Sequence, residues 1–520
     1  MLSAHVHRHS ALVSFLLGAG LSLSFAPFRI FPLAIIAPAA LLWLWEGASP
    51  RRAAWLGFCF GSGTFLAGTY WLYTSIHVFG EAPIWVAFLL MLGLVAIMGL
   101  YHALVGYVVA RWLPASGLLR WIVGVPATWI LVEWLRGWVL SGFPWLALGY
   151  SQIDSWLGAF APAGGVYFVS FLVMLTAGAL VALLRGSAVQ RIVSATVVVS
   201  VWTVGALLAG REWTQRSDGD LTVSLVQGAI SQDLKWQEEN RDATLRLYDD
   251  MTREVFGRQL IVWPEAALPV LAHEVEDYLA ALHRDARAQG SQVVMGILRF
   301  DYEQEHFRNA LLVLDDPPQW YYKRRLVPFG EFFPVPAFVR NWMRLMTLPY
   351  VDFAPGDRNQ PALRVAGVRL APTICYEDAY GSEQLEVLRE ATVLINVSND
   401  AWFGDSTAPH QHLEIARMRA LEAGRYLLRA TNNGVTAIIG PDGAIVDSVP
   451  QFKPAVLNGT VSPRTGLTPY AMIGNVPVVV LCLLMLVAAA AIAVAARRRD
   501  RFDAPSGVQP AVMQRSVDSK

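Results

Sequence analysis

Eight apolar runs constrain this chain more than any other feature of its sequence. A run of about 20 apolar residues matches a membrane-spanning helix, which satisfies its own backbone hydrogen bonds inside the hydrocarbon layer. The composition, with 54% hydrophobic and only 16% charged residues, agrees with several such spans. The runs predict transmembrane helices at residues 11–25, 30–45, 53–73, 83–110, 121–139, 166–184, 192–209 and 474–496.

The arginines in the short loops between these runs indicate how the chain is oriented. If the runs alternate across a membrane, most loop arginines fall on one side: Arg8, Arg51, Arg52, Arg111, Arg120, Arg185, Arg191, Arg497, Arg498 and Arg499. The other side carries Arg29 and Arg136. Because cytoplasmic loops are enriched in Lys and Arg, we expect both termini to be cytoplasmic. If one weak run were not a span, the downstream domain would lie on the opposite side of the membrane.

Downstream of residue 210 the pattern changes to short strands that alternate with amphipathic helices, which is typical of an α/β domain. The predicted strands are residues 221–227, 260–263, 292–297, 310–314, 320–322, 368–374, 392–397, 426–430 and 435–439, and the predicted helices are 240–256, 276–289 and 410–424. Residues 332–355 form a long loop rich in Phe, Trp, Met and Pro, which we expect to contact the bilayer or to cover a site.

The predicted organisation therefore has four parts. Residues 1–210 form a membrane domain with seven transmembrane helices, and residues 211–473 form an extracytoplasmic α/β domain. Residues 474–496 are an eighth transmembrane helix, and residues 497–520 are a cytoplasmic tail that lacks any pattern and is expected to be disordered.

Three reactive side chains each follow a predicted strand: Glu265, Lys323 and Cys375. Taken singly, each has an ordinary explanation as a helix cap, a solvated charge or a small buried hydrophobic residue. Together they form a nucleophile set, in which the carboxylate accepts the thiol proton and the ammonium stabilises an oxyanion. Glu331 and Glu377 follow closely in the sequence and could orient this set or tune its charge.

Composition excludes several other kinds of site. The chain has three cysteines, and Cys59 and Cys482 lie inside apolar runs, which leaves Cys375 alone in the polar part of the sequence. A disulfide framework is therefore excluded there, and the sequence has no metal-cluster spacing. The formal net charge of +0 gives no reason to expect nucleic acid.

Three motifs resemble the signatures of the nitrilase superfamily, whose catalytic triad is Glu-Lys-Cys. They are Val262-Trp263-Pro264-Glu265, the stretch from Tyr322-Lys323 through Pro328-Phe329-Gly330-Glu331, and Cys375-Tyr376-Glu377. Membrane runs on both sides of such a domain make the whole chain similar to the apolipoprotein N-acyltransferase family, its membrane-embedded branch. Further stretches also resemble that family: Gly142-Phe143-Pro144-Trp145, Gln227-Gly228, Lys235-Trp236, the run from Asn396 to Gly404, and Thr431-Asn432-Asn433-Gly434.

The resemblance implies a fold, an activity and a location. It implies an αββα sandwich for the catalytic domain, in the bacterial inner membrane with that domain on the periplasmic side. The reaction implied is transfer of the sn-1 acyl chain of a phospholipid, with phosphatidylethanolamine as the expected donor. The acceptor is the α-amine of the N-terminal diacylglyceryl-cysteine of an apolipoprotein, and transfer is the last step of lipoprotein maturation. We expect a monomer that needs no metal or cofactor.

The resemblance also assigns roles to residues. Cys375 would form a thioester in a ping-pong reaction, Glu265 would carry protons, and Lys323 would stabilise both tetrahedral intermediates. Glu331 and Glu377 match supporting carboxylates. Three aromatic positions match substrate-binding residues near the cleft: Trp236, Tyr376 and Trp402.

The residues leave two alternatives to a transferase. A membrane-tethered amidase or nitrile hydrolase could use the same triad, with water resolving the acyl-enzyme. A lipid-binding scaffold on the same fold is disfavoured because it has no use for a reactive thiol. Residues 141–165 are a separate ambiguity, because they fit either an interfacial re-entrant turn or the rim of a lipid entry site.

The predicted orientation can be tested by cysteine labelling in intact spheroplasts. In a cysteine-free background, a cysteine at position 405 (Asp405→Cys) should react with an impermeant maleimide, and one at position 506 (Ser506→Cys) should not. The reverse pattern of labelling would place the α/β domain in the cytoplasm and overturn the predicted topology.

Overall fold

The computed structural model describes residues 2–332 and 353–502, with side chains over residues 9–332 and 353–499. The apolar runs form long helices: Leu2–Leu21, Leu33–Leu44, Pro50–Gly68, Ile84–Trp112, Val125–Arg136, Ala161–Arg185, Ala188–Leu208 and Val476–Phe502. In the described part of the chain, four helical stretches are long and apolar enough to cross a membrane: Ile84–Trp112, Gly158–Arg185, Ala188–Leu208 and Val476–Arg499. The remaining apolar helices are shorter or less apolar, so the count of eight spans stays a prediction.

Small residues allow the membrane helices to approach closely. A Cβ atom on Gly18 would lie 1.9 Å from the carbonyl oxygen of Phe60, and one on Gly57 would lie 2.3 Å from that of His102. Such distances are sterically impossible, so only glycine fits at these crossings. Close backbone approach through small residues is the usual way in which helices pack inside a membrane.

Two six-stranded mixed sheets form the α/β domain. The first sheet has the strand order Ala455–Val461, Leu221–Gln227, Leu260–Val262, Gln292–Asp301, His306–Val313 and Gln319–Tyr322. The second has the order Ile445–Ser448, Ala437–Ile439, Leu427–Thr431, Val393–Ser398, Val368–Ile374 and Leu363–Val365. Three neighbouring strands in each sheet are parallel, and the outer pairings are antiparallel.

Alternating side chains on these strands build a layered core. Val223 and Leu225 share one apolar cluster with residues of the second sheet, such as Ile395 and Val397. The next residue, Val226, faces the opposite way, towards the helices of the outer layer. These helices are Arg241–Arg253 and Glu276–Ala288 on the first sheet and Ala408–Ala423 on the second. The predicted fold class, a helical membrane domain with an αββα sandwich domain, is confirmed.

The Ala408–Ala423 helix, called here the support helix, joins the α/β domain to the membrane part. Nearly all of its side chains are buried, including polar ones. Gln411 receives hydrogen bonds from Trp71 Nε1 at 3.2 Å and Trp145 Nε1 at 2.7 Å, and Arg417 binds Asp154. The polar side chains of a buried helix require polar partners, and the membrane part supplies several of them.

Short helical turns connect the larger elements. In the membrane part they are Ser22–Ser24, Trp71–Tyr73, Thr74–Phe79, Leu119–Gly124, Val139–Ser141, Leu148–Gln152 and Gly158–Phe160. In the α/β domain they are Gln232–Lys235, Glu238–Asn240, Ala272–Val275, Cys375–Ala379, Gly381–Glu383, Val387–Arg389, Asp400–Phe403 and Pro469–Ile473. A two-stranded pairing of Gln215–Arg216 with Arg464–Thr465 lies beside them.

The differences from the sequence prediction have simple causes. The strands Leu363–Val365, Ile445–Ser448 and Ala455–Val461 were missed because they lie at sheet edges, where one face is solvated and the apolar signal is weak. Residues 333–352, the bulk of the apolar loop predicted at 332–355, lie outside the described residues.

Candidate active site

Three strand ends bring the predicted reactive side chains together. Glu265 lies three residues beyond the end of the Leu260–Val262 strand, Lys323 directly follows Gln319–Tyr322, and Cys375 directly follows Val368–Ile374. Lys323 Nζ lies 3.0 Å from Glu265 Oε1, and both groups act electrostatically on the Cys375 thiol. The two sheets face each other, so strand ends from different sheets meet in one place.

The Lys323 ammonium is shared between two carboxylates. Its Nζ donates to Glu265 Oε1 at 3.0 Å and to Glu331 Oε1 at 2.9 Å, with its side chain only 1% exposed. The Asn309 amide also bridges the two acids, donating to Glu265 at 2.7 Å and to Glu331 at 3.0 Å. The main-chain N–H of Asn399 donates to the second oxygen of Glu265 at 2.9 Å. Both oxygens of Glu265 are therefore hydrogen-bonded and fixed in place.

Charge neutralisation keeps these buried groups ionised. Burial alone would raise the pKa of the Glu265 carboxyl, but the Lys323 ammonium, with the Asn309 and Asn399 donors, holds that pKa below its usual value. Burial would lower the pKa of Lys323, but Glu265 and Glu331 raise it well above the usual range. A carboxylate and an ammonium are thus both present in a buried site.

The Cys375 thiol lies in a different electrostatic situation. Burial and the nearby Glu265 carboxylate raise its pKa well above that of a free cysteine, and Lys323 opposes this shift. The resting sulfur is therefore a thiol at neutral pH. A nucleophilic step would require its proton to leave as the new bond forms, and Glu265 is the neighbouring base.

The Cys375–Ala379 turn, called here the cysteine turn, holds the thiol at the end of its strand. Cys375 has φ 52°, in the left-handed region that costs free energy for a residue with a side chain. Glu377 anchors this turn, because its carboxylate accepts from the N–H of Ile374 at 2.8 Å and of Arg324 at 2.6 Å. The oxygen that accepts from Ile374 also accepts from the Tyr321 hydroxyl at 2.9 Å. Glu377 therefore ties the cysteine turn to the strand end that carries Lys323.

Tyr376 connects the cysteine turn to the membrane helices. Its hydroxyl donates to the carbonyl oxygen of Gly142 at 3.2 Å, and its ring stacks on Trp145 with centroids 6.3 Å apart. The hydroxyl of Tyr380 donates to the same carbonyl at 3.2 Å. Residues 141–165 thus contact the cysteine turn directly, which neither interpretation of that segment predicted.

The other two predicted aromatic residues lie at the surface. Trp236 is 50% exposed and Trp402 is 40% exposed. The carbonyl oxygen of Trp402 accepts from the Ser75 hydroxyl at 2.8 Å, which fixes its backbone to the membrane part while the ring stays accessible. The structure therefore separates the buried Tyr376 from two exposed indoles.

Several residues in the site were missed by the sequence prediction. Asn309 follows Arg308 directly before the apolar run that begins at Ala310, and a single amide in that position gives no signal of its role. Asp378 in the cysteine turn contacts His412 and Arg429, and the three residues come from three separate elements of the sequence. A buried charged residue within an otherwise apolar strand, such as Arg429 in Leu427–Thr431, was the one local signal available.

Comparisons with known proteins cover nearly the whole chain. The family model for the apolipoprotein N-acyltransferase N-terminal domain matches residues 17–179, and that for carbon-nitrogen hydrolase matches residues 222–470. The chain is 41% identical over 470 residues to an apolipoprotein N-acyltransferase of Methylococcus capsulatus, covering 89% of this chain and 92% of the relative. It is 42% identical over 477 residues to that of Chromobacterium violaceum, covering 91% of each.

Among solved structures, the chain is similar to a CN-hydrolase superfamily protein of Xanthomonas campestris. The two are 20% identical with a TM-score of 0.36, and the match covers 47% of this chain and 91% of that one.

Replacing Lys323 with Met should change how stability depends on pH. With its pKa depressed, Glu265 contributes stability that is present above its unfolded pKa of about 4.3 and lost as the pH falls through the folded value. Without the ammonium, burial would raise that pKa, so the folded state would take up a proton and gain stability as the pH falls. Relative to wild type, the thermal midpoint of the variant should therefore rise as the pH is lowered from about 7.5 to about 5.5.

The matched control is Arg369→Met, which removes an exposed cation paired with Glu390 at 3.1 Å. Its midpoint should follow the wild type across the same interval, because exposed pairs contribute little. If Lys323→Met also follows the wild type, the ammonium does not set the charge state of Glu265.

Proposed function

This chain belongs to the apolipoprotein N-acyltransferase family, and we propose that it works through a thioester at Cys375. As a member it is a membrane protein that acylates the amino group of lipoproteins with a lipid-derived chain. The finer proposal is that Cys375 takes the sn-1 chain of a phospholipid and passes it to the α-amine of an N-terminal diacylglyceryl-cysteine. The observation that carries it is the Lys323–Glu265 contact at 3.0 Å beside the buried thiol.

The first half-reaction forms the thioester. Glu265 accepts the Cys375 proton as the sulfur attacks the ester carbonyl carbon, and the Lys323 ammonium stabilises the resulting oxyanion. The tetrahedral intermediate then collapses and the bond between the acyl carbon and the glycerol oxygen breaks. Glu265 returns its proton to the departing alkoxide, so a lysophospholipid leaves and Glu265 is again a carboxylate.

The second half-reaction transfers the chain to the acceptor. Glu265 takes a proton from the incoming ammonium, and the free amine attacks the thioester carbon. Lys323 stabilises the second oxyanion, and the positively charged nitrogen releases its remaining extra proton to solvent. The carbon–sulfur bond then breaks, and the proton held by Glu265 passes to the sulfur. The products are an amide and the resting thiol, so the cycle closes without a cofactor.

The surroundings of the thiol favour transfer over hydrolysis. Cys375 is 8% exposed, Glu265 6% and Lys323 1%, so little water reaches the reacting atoms. The cysteine turn also contacts the membrane part through Tyr376 and Gly142. A site whose cysteine turn contacts the membrane part suits a lipid donor, whereas an amidase acting on a soluble substrate needs no such contact.

Supporting roles follow from the contacts of the other predicted residues. Glu331 shares the Lys323 ammonium and would keep that side chain in place when Glu265 becomes protonated. Glu377 would hold the cysteine turn, and Tyr376 would tie it to residue 142. The exposed Trp236 and Trp402 would contact the acyl chains of the substrates, since indoles favour the interface between apolar and polar surroundings.

We also propose a location and a topology. The catalytic domain would lie on the periplasmic side of the bacterial inner membrane, with eight spans and both termini cytoplasmic, because the arginine-rich loops lie on one side. The protein would act as a monomer on phosphatidylethanolamine.

The proposal predicts which acyl chain is transferred and which side chains the transfer requires. Purified protein is given phosphatidylethanolamine with different isotope-labelled chains at the sn-1 and sn-2 positions, together with a diacylglyceryl-cysteine peptide. Mass spectrometry should find the sn-1 chain on the peptide amine and one lysophospholipid for each product. Cys375→Ala should give no product, and Lys323→Ala should slow transfer by about 10²–10³-fold, as loss of an oxyanion donor does.

Cys375→Ser serves as the conservative variant and should be nearly inactive, because a hydroxyl is much less acidic than a thiol. Release of free fatty acid without acylation of the peptide would establish a hydrolase and contradict the proposal. Transfer of the sn-2 chain would contradict the assigned donor position alone.

A further inference from the structure

Four charged side chains form a closed ring behind the cysteine turn. Asp378 comes from the turn itself, Asp400 follows the Val393–Ser398 strand, His412 lies on the support helix, and Arg429 lies on the Leu427–Thr431 strand. All four are 0–1% exposed. We call them the charge ring; the reaction scheme above uses none of them.

Each carboxylate in the charge ring binds both cations. His412 Nε2 lies 3.0 Å from Asp378 Oδ1, and His412 Nδ1 lies 2.9 Å from Asp400 Oδ1. Arg429 reaches Asp400 Oδ2 at 2.9 Å and Asp378 Oδ2 at 3.4 Å. Positive and negative groups therefore alternate around the ring.

The contacts of His412 specify its protonation state. Each ring nitrogen faces a carboxylate oxygen, which can only accept, so both nitrogens must donate and the ring must be an imidazolium. Burial and Arg429 would lower its pKa, but Asp378 and Asp400 raise it to about 9. With two cations and two anions, the charge ring is neutral, whereas a neutral His412 would leave a net charge of minus one.

The charge ring also binds the backbone that carries the thiol. His412 Nε2 lies 3.1 Å from the carbonyl oxygen of Cys375, and the Asn396 amide donates to the same oxygen at 3.3 Å. Arg429 holds that amide by donating to its oxygen at 2.6 Å. These bonds fix the peptide that follows the left-handed Cys375, a conformation that its surroundings must hold.

A second connection from the ring leads to the sulfur side of Cys375. The Ser398 hydroxyl donates to Asp400 Oδ1 at 2.8 Å, and its interaction with the Cys375 side chain lowers the pKa of the thiol. The Asp400 carboxylate raises the pKa of that thiol. An Asp400 whose charge is not balanced by His412 would therefore oppose formation of a thiolate.

We propose that His412 is a positioning residue for acyl transfer: it holds the cysteine turn through the Cys375 carbonyl and, as the second cation of the charge ring, keeps the ring neutral so that a thiolate can form. The inference rests on the proposed role of Cys375 as nucleophile. It assigns to His412 an effect on the sulfur that is separate from proton transfer by Glu265. The contrary view is that the ring is a buried ion network that serves only the fold.

The support helix connects this device to the membrane part. The His412 ring lies against Trp145 with centroids 5.6 Å apart, and the adjacent Gln411 accepts from Trp145 Nε1 at 2.7 Å. Trp145 also stacks on Tyr376 of the cysteine turn. His412 therefore lies where the membrane helices and the cysteine turn meet.

The test varies the net charge of the ring and measures the reactivity of Cys375 without any acyl chemistry. His412→Gln keeps an N–H donor but makes the ring charge minus one, and Asp400→Asn makes it plus one. The double variant restores neutrality. The rate at which iodoacetamide alkylates Cys375 is measured at one neutral pH by mass spectrometry of the peptide that contains this residue, together with acyl-transfer activity and the thermal midpoint.

The alkylation rate should follow the ring charge. Loss of the imidazolium should raise the pKa of the Cys375 thiol. A rise of about one unit lowers the thiolate fraction about ten-fold, so His412→Gln should react about ten-fold more slowly than wild type. Asp400→Asn should react faster than wild type, and the double variant should return to within about three-fold of it. Acyl transfer by His412→Gln should fall in kcat rather than rise in KM, and it should recover in the double variant.

The control is His410→Gln, which removes a half-buried histidine from the first turn of the same helix. Its alkylation rate and activity should match the wild type. If His412→Gln does not accumulate in the membrane, the alkylation rates of the other three proteins still test the proposal. Asp400→Asn should react fastest, and the wild type and the double variant should react at similar rates.

Two results would overturn the proposal. Alkylation rates that do not follow the ring charge would show that the ring serves the fold alone, and so would a double variant slower than either single variant. If instead Cys375 is not the nucleophile, the Cys375→Ala variant would retain acyl-transfer activity, and this result does not depend on the charge ring.

Discussion

The site depends on one buried ammonium shared by two carboxylates. Lys323 has almost no access to solvent, and its charge is balanced by Glu265 and Glu331 at 3.0 Å and 2.9 Å. A lone charge in this position would lose its proton or unfold the domain, because desolvation of an unpaired ion costs several kcal/mol. The pairing keeps Glu265 ionised at neutral pH beside a thiol that is still protonated, which is the arrangement a proton acceptor requires.

The membrane part also helps to hold the cysteine turn in place. Arg136 donates to the carbonyl oxygens of Phe143 and Trp145, which fixes the segment that receives the Tyr376 hydroxyl at Gly142. The cysteine turn is thus held on one side by Glu377, and through it by the strand end of Lys323, and on the other by the membrane helices. The same buried hydrogen bonds therefore join the two domains and fix the position of the thiol, and apolar contact alone does not account for either.

The sequence predicted elements with strong periodicity and missed features that depend on distant partners. Long apolar runs and strand–helix alternation are local signals, so the helices and the αββα class could be predicted. Glu265, Lys323 and Cys375 could be singled out because each follows a strand, and their motifs resemble a known family. Asn309 and His412 could not, because an amide or a histidine acquires its role from partners far away in the sequence. The contact between Tyr376 and residue 142 was missed for the same reason.

The most direct measurement of the central claim is the mass of the intact protein after exposure to phospholipid without an acceptor. The account predicts one added acyl chain on the peptide that contains Cys375, released by hydroxylamine and discharged when a diacylglyceryl-cysteine peptide is added. Cys375 is the one described cysteine outside the long apolar helices, so the position of the adduct is unambiguous. An unmodified Cys375 in protein that still acylates the peptide would contradict the thioester, and an adduct that water removes as fast as the peptide does would contradict transfer.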